Sequence, residues 1–69
     1  MNTIVNSKCV NGHYITLERD NDSSNYVVFD YPIISIHESL CGSPVSQSNY
    51  NFLTNAMQRF NEIIKYYEK

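Results

Sequence analysis

Residues 48–67, SNYNFLTNAMQRFNEIIKYY, carry the spacing of an amphipathic helix. Large apolar side chains recur there every three or four residues, which places them on one side of a helix. We predict a helix over about residues 48–67, roughly 30 Å long, with Ser46 or Ser48 as its N-cap. The apolar stripe consists of Leu53, Ala56, Met57, Phe60, Ile63, Ile64 and Tyr67, and Tyr50 would extend it by one turn.

The chain upstream of this helix has the pattern of short strands joined by turns. Asn11-Gly12 is a strong hairpin signal, and the polar run at 21–25 predicts a second turn. The predicted fold class is α+β: a three- to four-stranded antiparallel meander sheet with one long C-terminal helix packed on one face. With 69 residues, the chain is predicted to form a single domain with a small core. Strands are expected at about residues 3–10, 13–19 and 26–31, with 33–37 as either a fourth strand or part of an irregular connection.

Strand register decides which side chains the helix covers. A two-residue turn at Asn11-Gly12 would put Lys8 on the core face, so we expect a three-residue turn with a bulge, pairing Cys9 with His13. In the second hairpin Leu17 is expected opposite Phe29. Pro32 should end the third strand, and residues 40–47 should form a loop. The predicted core face of the sheet is Val5, Cys9, Ile15, Leu17, Val27, Phe29 and Tyr31, and the predicted opposite face is Tyr14, Thr16, Glu18, Tyr26, Val28 and Asp30.

Composition and charge exclude several function classes. The net charge of −2 and a pI near 5.5 argue against binding by phosphate neutralisation. The first residues lack a basic n-region and a long apolar stretch, and no apolar run approaches bilayer length. We therefore expect a cytoplasmic protein without a membrane partner. The two glycines are too far apart for a phosphate-binding loop, and the dispersed carboxylates suggest no acid–base pair. We expect no enzymatic activity and no cofactor.

The cysteines and histidines form the one pattern with metal-ligand chemistry. Their spacing is C-x3-H at Cys9 and His13, and H-x3-C at His37 and Cys41. Two thiolates and two imidazoles suit tetrahedral zinc, but structural sites usually contain a closely spaced cysteine pair, which this chain lacks. A zinc-stabilised domain and a Cys9–Cys41 disulfide are therefore minority alternatives to a buried free Cys9.

Tyrosine is abundant, with six residues in the chain. Exposed tyrosines favour protein interfaces, and they can also stack on single-stranded bases when cations lie among them. The favoured function is a non-enzymatic protein-binding module, of which a small inhibitor or adaptor from a phage or mobile element, occluding a larger host protein, is one form. The partner is a larger protein or a second copy in a homodimer, and single-stranded nucleic-acid binding is the alternative. The candidate contact residues are Tyr14, Glu18, Tyr26 and Asp30 on the sheet and Tyr66 on the helix.

Overall fold

A computed structural model describes residues 2–35, 40–41 and 46–68. An antiparallel meander sheet is followed by one C-terminal helix packed against it, which confirms the predicted α+β fold. The elements are β1 (Asn2–Val10), β2 (His13–Asp20), β3 (Tyr26–Ser35), β4 (Leu40–Cys41), β5 (Ser46–Tyr50) and α1 (Leu53–Tyr67).

The fourth position in the sheet is shared by two short strands. β3 pairs with β2 along one edge, and its other edge pairs with β5 over its first five residues and with β4 near its end. The expected strand at 33–37 is therefore wrong for 33–35, which continue β3, while 36 and 37 lie outside the described residues. Pro32 does not end β3, because it lies between the two segments of edge pairing, where a residue without an N–H is tolerated.

The helix begins later than its sequence pattern predicts. α1 starts at Leu53 with Phe52 as its N-cap, so the N-cap assignments to Ser46 and Ser48 are wrong. Ser46–Tyr50 instead forms β5, with alternating half-buried and exposed side chains. Strand formation there satisfies backbone groups of β3 that would otherwise be left at an open edge. The predicted loop at 40–47 is accordingly wrong at both ends, and 42–45 lie outside the described residues.

The first hairpin has a two-residue turn in place of the expected three-residue turn with a bulge. Asn11 and Gly12 have φ of 45° and 80°, which suits a type I′ turn, and Val10 pairs with His13. The expected Cys9–His13 pairing is therefore wrong, and the bulge lies between Ile4 and Asn6. Nearly all of β1 is exposed, so burial of its side chains does not select its register.

The second hairpin is shifted by one residue from the prediction. Leu17 pairs with Val28 and Ile15 with Asp30, so Val28 and Asp30 face α1 while Phe29 faces away. The run Val27-Val28-Phe29 is apolar on both faces, and alternation therefore could not select the register.

The core lies between α1 and the middle strands of the sheet. The residues that form it are Ile15, Leu17, Val28, Ala56, Phe60, Ile63 and Ile64. Most of the predicted helix stripe is thus buried, although Leu53 at its beginning is 41% exposed. Val5 and Cys9, expected in the core, are exposed on β1.

Candidate functional site

The sheet face opposite α1, called the far face below, is the surface that the helix leaves uncovered. Strand alternation and register assign its members on the three strands β2, β3 and β5. They are Tyr14, Thr16, Glu18, Asp20, Val27, Phe29, Tyr31, Gln47 and Asn49. Cys9 of β1 joins this face because it pairs with Tyr14.

Three aromatic rings form a contiguous cluster on the far face. The ring of Tyr31 lies 6.4 Å from that of Tyr14, which is its cross-strand partner, and 5.4 Å from that of Phe29. All three side chains are half-buried, so each presents part of its ring at the surface. Thr16 pairs with Phe29 on the same face and is only 1% exposed.

Amide side chains border this cluster at the other end of the far face. A shallow groove of about 330 Å³ there is lined by Phe29 and Val27, by Asp20 and by amides that include Asn25, Gln47 and Asn49. Amides both donate and accept hydrogen bonds, so they can pair with the peptide groups of another protein. Rigid aromatic rings beside adaptable amides are typical of protein-recognition surfaces.

Strand alternation places two carboxylates on the far face, Glu18 and Asp20 of β2, and both are held by their neighbours. Glu18 accepts hydrogen bonds from the Asn2 amide at 3.0 Å and from the Thr16 hydroxyl at 2.9 Å, one on each oxygen. Lys8 and Arg19 lie on the α1 side by alternation. Asp20 accepts hydrogen bonds from the backbone N–H groups of Asp22 and Ser23. The described part of the far face therefore carries no cation and two anions that are already bonded.

The five predicted contact residues do not form one surface. Tyr14 and Glu18 lie on the far face, whereas Tyr26 and Asp30 lie on the α1 side and Tyr66 on the helix exterior, 67% exposed. The placement of Tyr26 and Asp30 on the outer face was wrong because it relied on the shifted β2–β3 register. Because of the same shift, Phe29 and Tyr31 are expected in the core from the sequence but lie on the far face in the structure.

Asp30 is instead the centre of a buried polar network that joins the sheet to the end of α1. Asp30 is only 3% exposed. One oxygen lies 2.8 Å from Nδ1 of His13, and the other accepts a hydrogen bond from the Tyr67 hydroxyl at 2.6 Å. The His13 and Tyr67 rings stack with centroids 4.0 Å apart.

The network has an electrostatic consequence for Tyr67. Its hydrogen bond to Asp30, together with burial, raises the pKa of the Tyr67 phenol to about 12, because ionisation would place a second negative charge beside the carboxylate. The Asn11 amide bonds to the Tyr67 carbonyl oxygen, and Lys8 pairs with Glu68 at 3.1 Å. The last turn of α1 is thus fastened to the β1–β2 hairpin at several points.

The metal and disulfide alternatives are not supported by the positions of their residues. Cys9 and His13 lie on opposite faces of the first hairpin, and His13 is engaged with Asp30. Cys9 is an exposed free cysteine. His37 lies outside the described residues. For Cys41 the structure describes only the backbone, which belongs to β4. Within the described segments, no three His, Cys, Asp or Glu side chains converge as a metal site would require.

Comparison with known proteins assigns no family. No family model matches the chain. Neither a curated protein nor a solved structure matches it. No helix in the described part of the chain is both long and apolar enough to cross a membrane.

Proposed function

We propose that this protein is a non-enzymatic protein-binding module and that its far face contacts the partner. The observation that supports the proposal is the cluster of Tyr14, Phe29 and Tyr31 on the sheet face opposite α1. Aromatic side chains are enriched at interface centres because they supply large contact area with few rotatable bonds. The bordering amides would then bond to the partner's backbone.

Charge favours a protein partner over a nucleic acid. Aromatic sheet faces that stack bases work together with Lys or Arg side chains that follow the phosphates. The described far face carries neither, and Glu18 would repel a phosphate backbone. The complementary surface is therefore a neutral or apolar patch on another protein.

The dimensions of the molecule suit an inhibitor or adaptor that acts by occlusion. Its Cα atoms extend over 33 × 28 × 16 Å, so the molecule is a slab with two broad faces. A standard interface buries about 800 Å² on each partner, which is on the order of one broad face of this slab. A larger cytoplasmic protein could thus be covered at one site by the far face, with α1 directed away from it.

The exposed thiol of Cys9 offers a direct test of this orientation. In a Cys41→Ser background, a benzophenone maleimide on Cys9 would sit beside Tyr14 on the far face. The matched probe position is Lys65→Cys in a chain without Cys9 and Cys41, because Lys65 is exposed on the helix. Ultraviolet irradiation in an extract of the native host should crosslink one larger protein from Cys9 and not from position 65.

Variants then connect the crosslink to the aromatic cluster. Tyr14→Ser should abolish the Cys9 crosslink, whereas Tyr66→Ser on the helix should preserve it, with circular dichroism confirming that both variants fold. Equal crosslinking of the same protein from both probe positions, or no effect of Tyr14→Ser, would contradict the proposed face. A product of twice the chain's own mass would show self-association in place of a larger partner.

A further inference from the structure

A groove separate from the far face lies between α1 and the edge of the sheet. It has a volume of about 460 Å³, within the size range of small-ligand sites. Its floor is formed by β3, by Ser46 at the start of β5 and by the apolar side chain of Ile63. The residues that give it chemical character are Asp30, Arg59, Glu62, Tyr66 and Tyr67.

The inner end of the groove contains a buried carboxylate that can accept further hydrogen bonds. Asp30 is 3% exposed and accepts one hydrogen bond on each oxygen, from His13 and from Tyr67. A carboxylate has about four acceptor sites, so each oxygen can still accept a bond from a donor in the groove. The charge is fixed in place by its partners and lies where solvent screening is reduced.

Two tyrosine rings form an aromatic corner beside this carboxylate. Tyr66 and Tyr67 meet edge to face, with centroids 5.2 Å apart and planes at 73°. Tyr66 is 67% exposed, which leaves its ring accessible to a ligand. Cations are attracted to the faces of such rings, so the aromatic corner and the carboxylate both favour a positively charged ligand.

Among the described residues that line the groove, Arg59 is the one cation, and it is weakly held and already paired. Arg59 lies 3.7 Å from Glu62, and both side chains are substantially exposed, at 42% and 56%. Exposed pairs of this kind contribute little, so Arg59 can turn outward and leave the Glu62 carboxylate available. The described lining then carries two anions, Asp30 and Glu62, and one displaceable cation.

We propose that this groove binds a guanidinium group. A guanidinium is planar, donates several hydrogen bonds in a fixed fork that matches carboxylates, and stacks on aromatic rings. Asp30 would accept its inner donors, Tyr66 would stack against its plane and Glu62 would accept at the mouth. The group could belong to a small guanidino compound or to an arginine side chain, since both present the same chemistry. This site is independent of the far face and of the function proposed for it.

The test is an NMR titration of the labelled full chain at physiological salt with methylguanidinium, and with the uncharged isostere methylurea as the matched ligand. Methylguanidinium should shift signals of Ser46, Ile63 and Tyr66 in a saturable manner, and methylurea should not. A blocked Gly-Arg-Gly peptide distinguishes the two sources: tighter binding than methylguanidinium identifies an arginine side chain, and equal or weaker binding identifies a small guanidino compound. Equal responses to methylguanidinium and methylurea, or shifts spread over the acidic surface around Glu18, would overturn the proposal.

Groove variants sharpen the result without touching the buried network. Tyr66→Ala should weaken methylguanidinium binding by about threefold, as expected for one exposed cation–π contact, while Tyr66→Phe should retain it. Glu62→Gln should weaken binding and Glu18→Gln, which removes the same charge from the far face, should not. Arg59→Gln should strengthen it, and weaker binding in Arg59→Gln would contradict a cation site in which Arg59 is displaced.

Discussion

Removal of a single hydroxyl from Tyr67 should destabilise the protein substantially. The Tyr67→Phe substitution keeps the ring that stacks on His13 but deletes the donor that lies 2.6 Å from Asp30. A hydrogen bond to a charged group contributes about 1.5–3 kcal/mol, and here the carboxylate left behind is buried. For 69 residues, a typical stability of about 0.05–0.15 kcal/mol per residue gives roughly 3–10 kcal/mol in total. The variant should therefore lose a large fraction of its free energy of unfolding.

Tyr66→Phe is the matched control for this substitution. Tyr66 is the preceding residue of the same helix and is 67% exposed, so its loss of a hydroxyl should change stability by no more than about 0.5 kcal/mol. Urea unfolding followed by circular dichroism measures both variants. In thermal melts, each kcal/mol corresponds to about 4–8 °C for a domain of this size. If the two variants are equally stable, the Tyr67–Asp30 bond does not secure the helix and the reasoning fails.

The pH dependence provides a second, independent check of the same bond. The pKa of Tyr67 is raised from its ordinary value of 10.0 to about 12, so the folded protein holds this proton more tightly than the unfolded chain does. The resulting stabilisation is fully present below pH 10 and is lost as the pH rises from 10 through 12. The stability difference between wild type and Tyr67→Phe should hence be constant below pH 10 and shrink above it. A difference that widens above pH 10 would refute the assignment.

Three further predictions concern the core and the two hairpin turns. Phe60→Ala should cost about 3–5 kcal/mol because Phe60 is 3% exposed, whereas Phe52→Ala, at a residue 68% exposed, should have little effect in the same urea assay. Gly12→Ala should cost about 1–2 kcal/mol through its φ of 80°, although no neighbour would touch the added Cβ, and a neutral result would argue against the two-residue turn. NMR titration of Asp20 should give a pKa below 3.8, since the backbone N–H of Asp22 bonds to its carboxylate. The stabilisation that the ionised Asp20 gives to the β2–β3 turn should then be fully present above pH 3.8 and be lost as the pH falls through the lowered pKa.

The sequence predicts the fold class and the helix stripe well because both rest on periodicity over many residues. The positions of Ala56, Phe60, Ile63 and Ile64 follow a 3.6-residue period that no strand could satisfy, and all four are buried. The start of the helix was not predictable in the same way. The polar sequence of β5 has no apolar alternation, and its pairing with β3 depends on backbone groups that are identical in every residue.

Register failed in each hairpin for a different physical reason. In the first, the two-residue turn is rejected from sequence because it puts Lys8 on the core face, but the helix covers little of β1 and the Lys8 ammonium reaches Glu68 at the end of α1. Where burial is weak, the turn residues Asn11 and Gly12 decide the register. In the second hairpin, apolar residues alternate on both faces of β3, so no pattern within the strand separates the two possible registers.

The polar network explains why the observed β2–β3 register is favoured over its neighbour. A shift by one residue would turn Asp30 toward the far face and bring Phe29 or Tyr31 beneath α1. His13 and Tyr67 would then lose their shared carboxylate, and both would remain near the core with unmatched polar groups, which is costly. A buried ionic group adds little net stability over an apolar one, but it penalises arrangements that leave it unpaired. Asp30 thus couples the register of the sheet to the last turn of the helix. That coupling also determines which side chains reach the far face, so the candidate binding surface depends on a contact between residues 30 and 67 that no local sequence pattern contains.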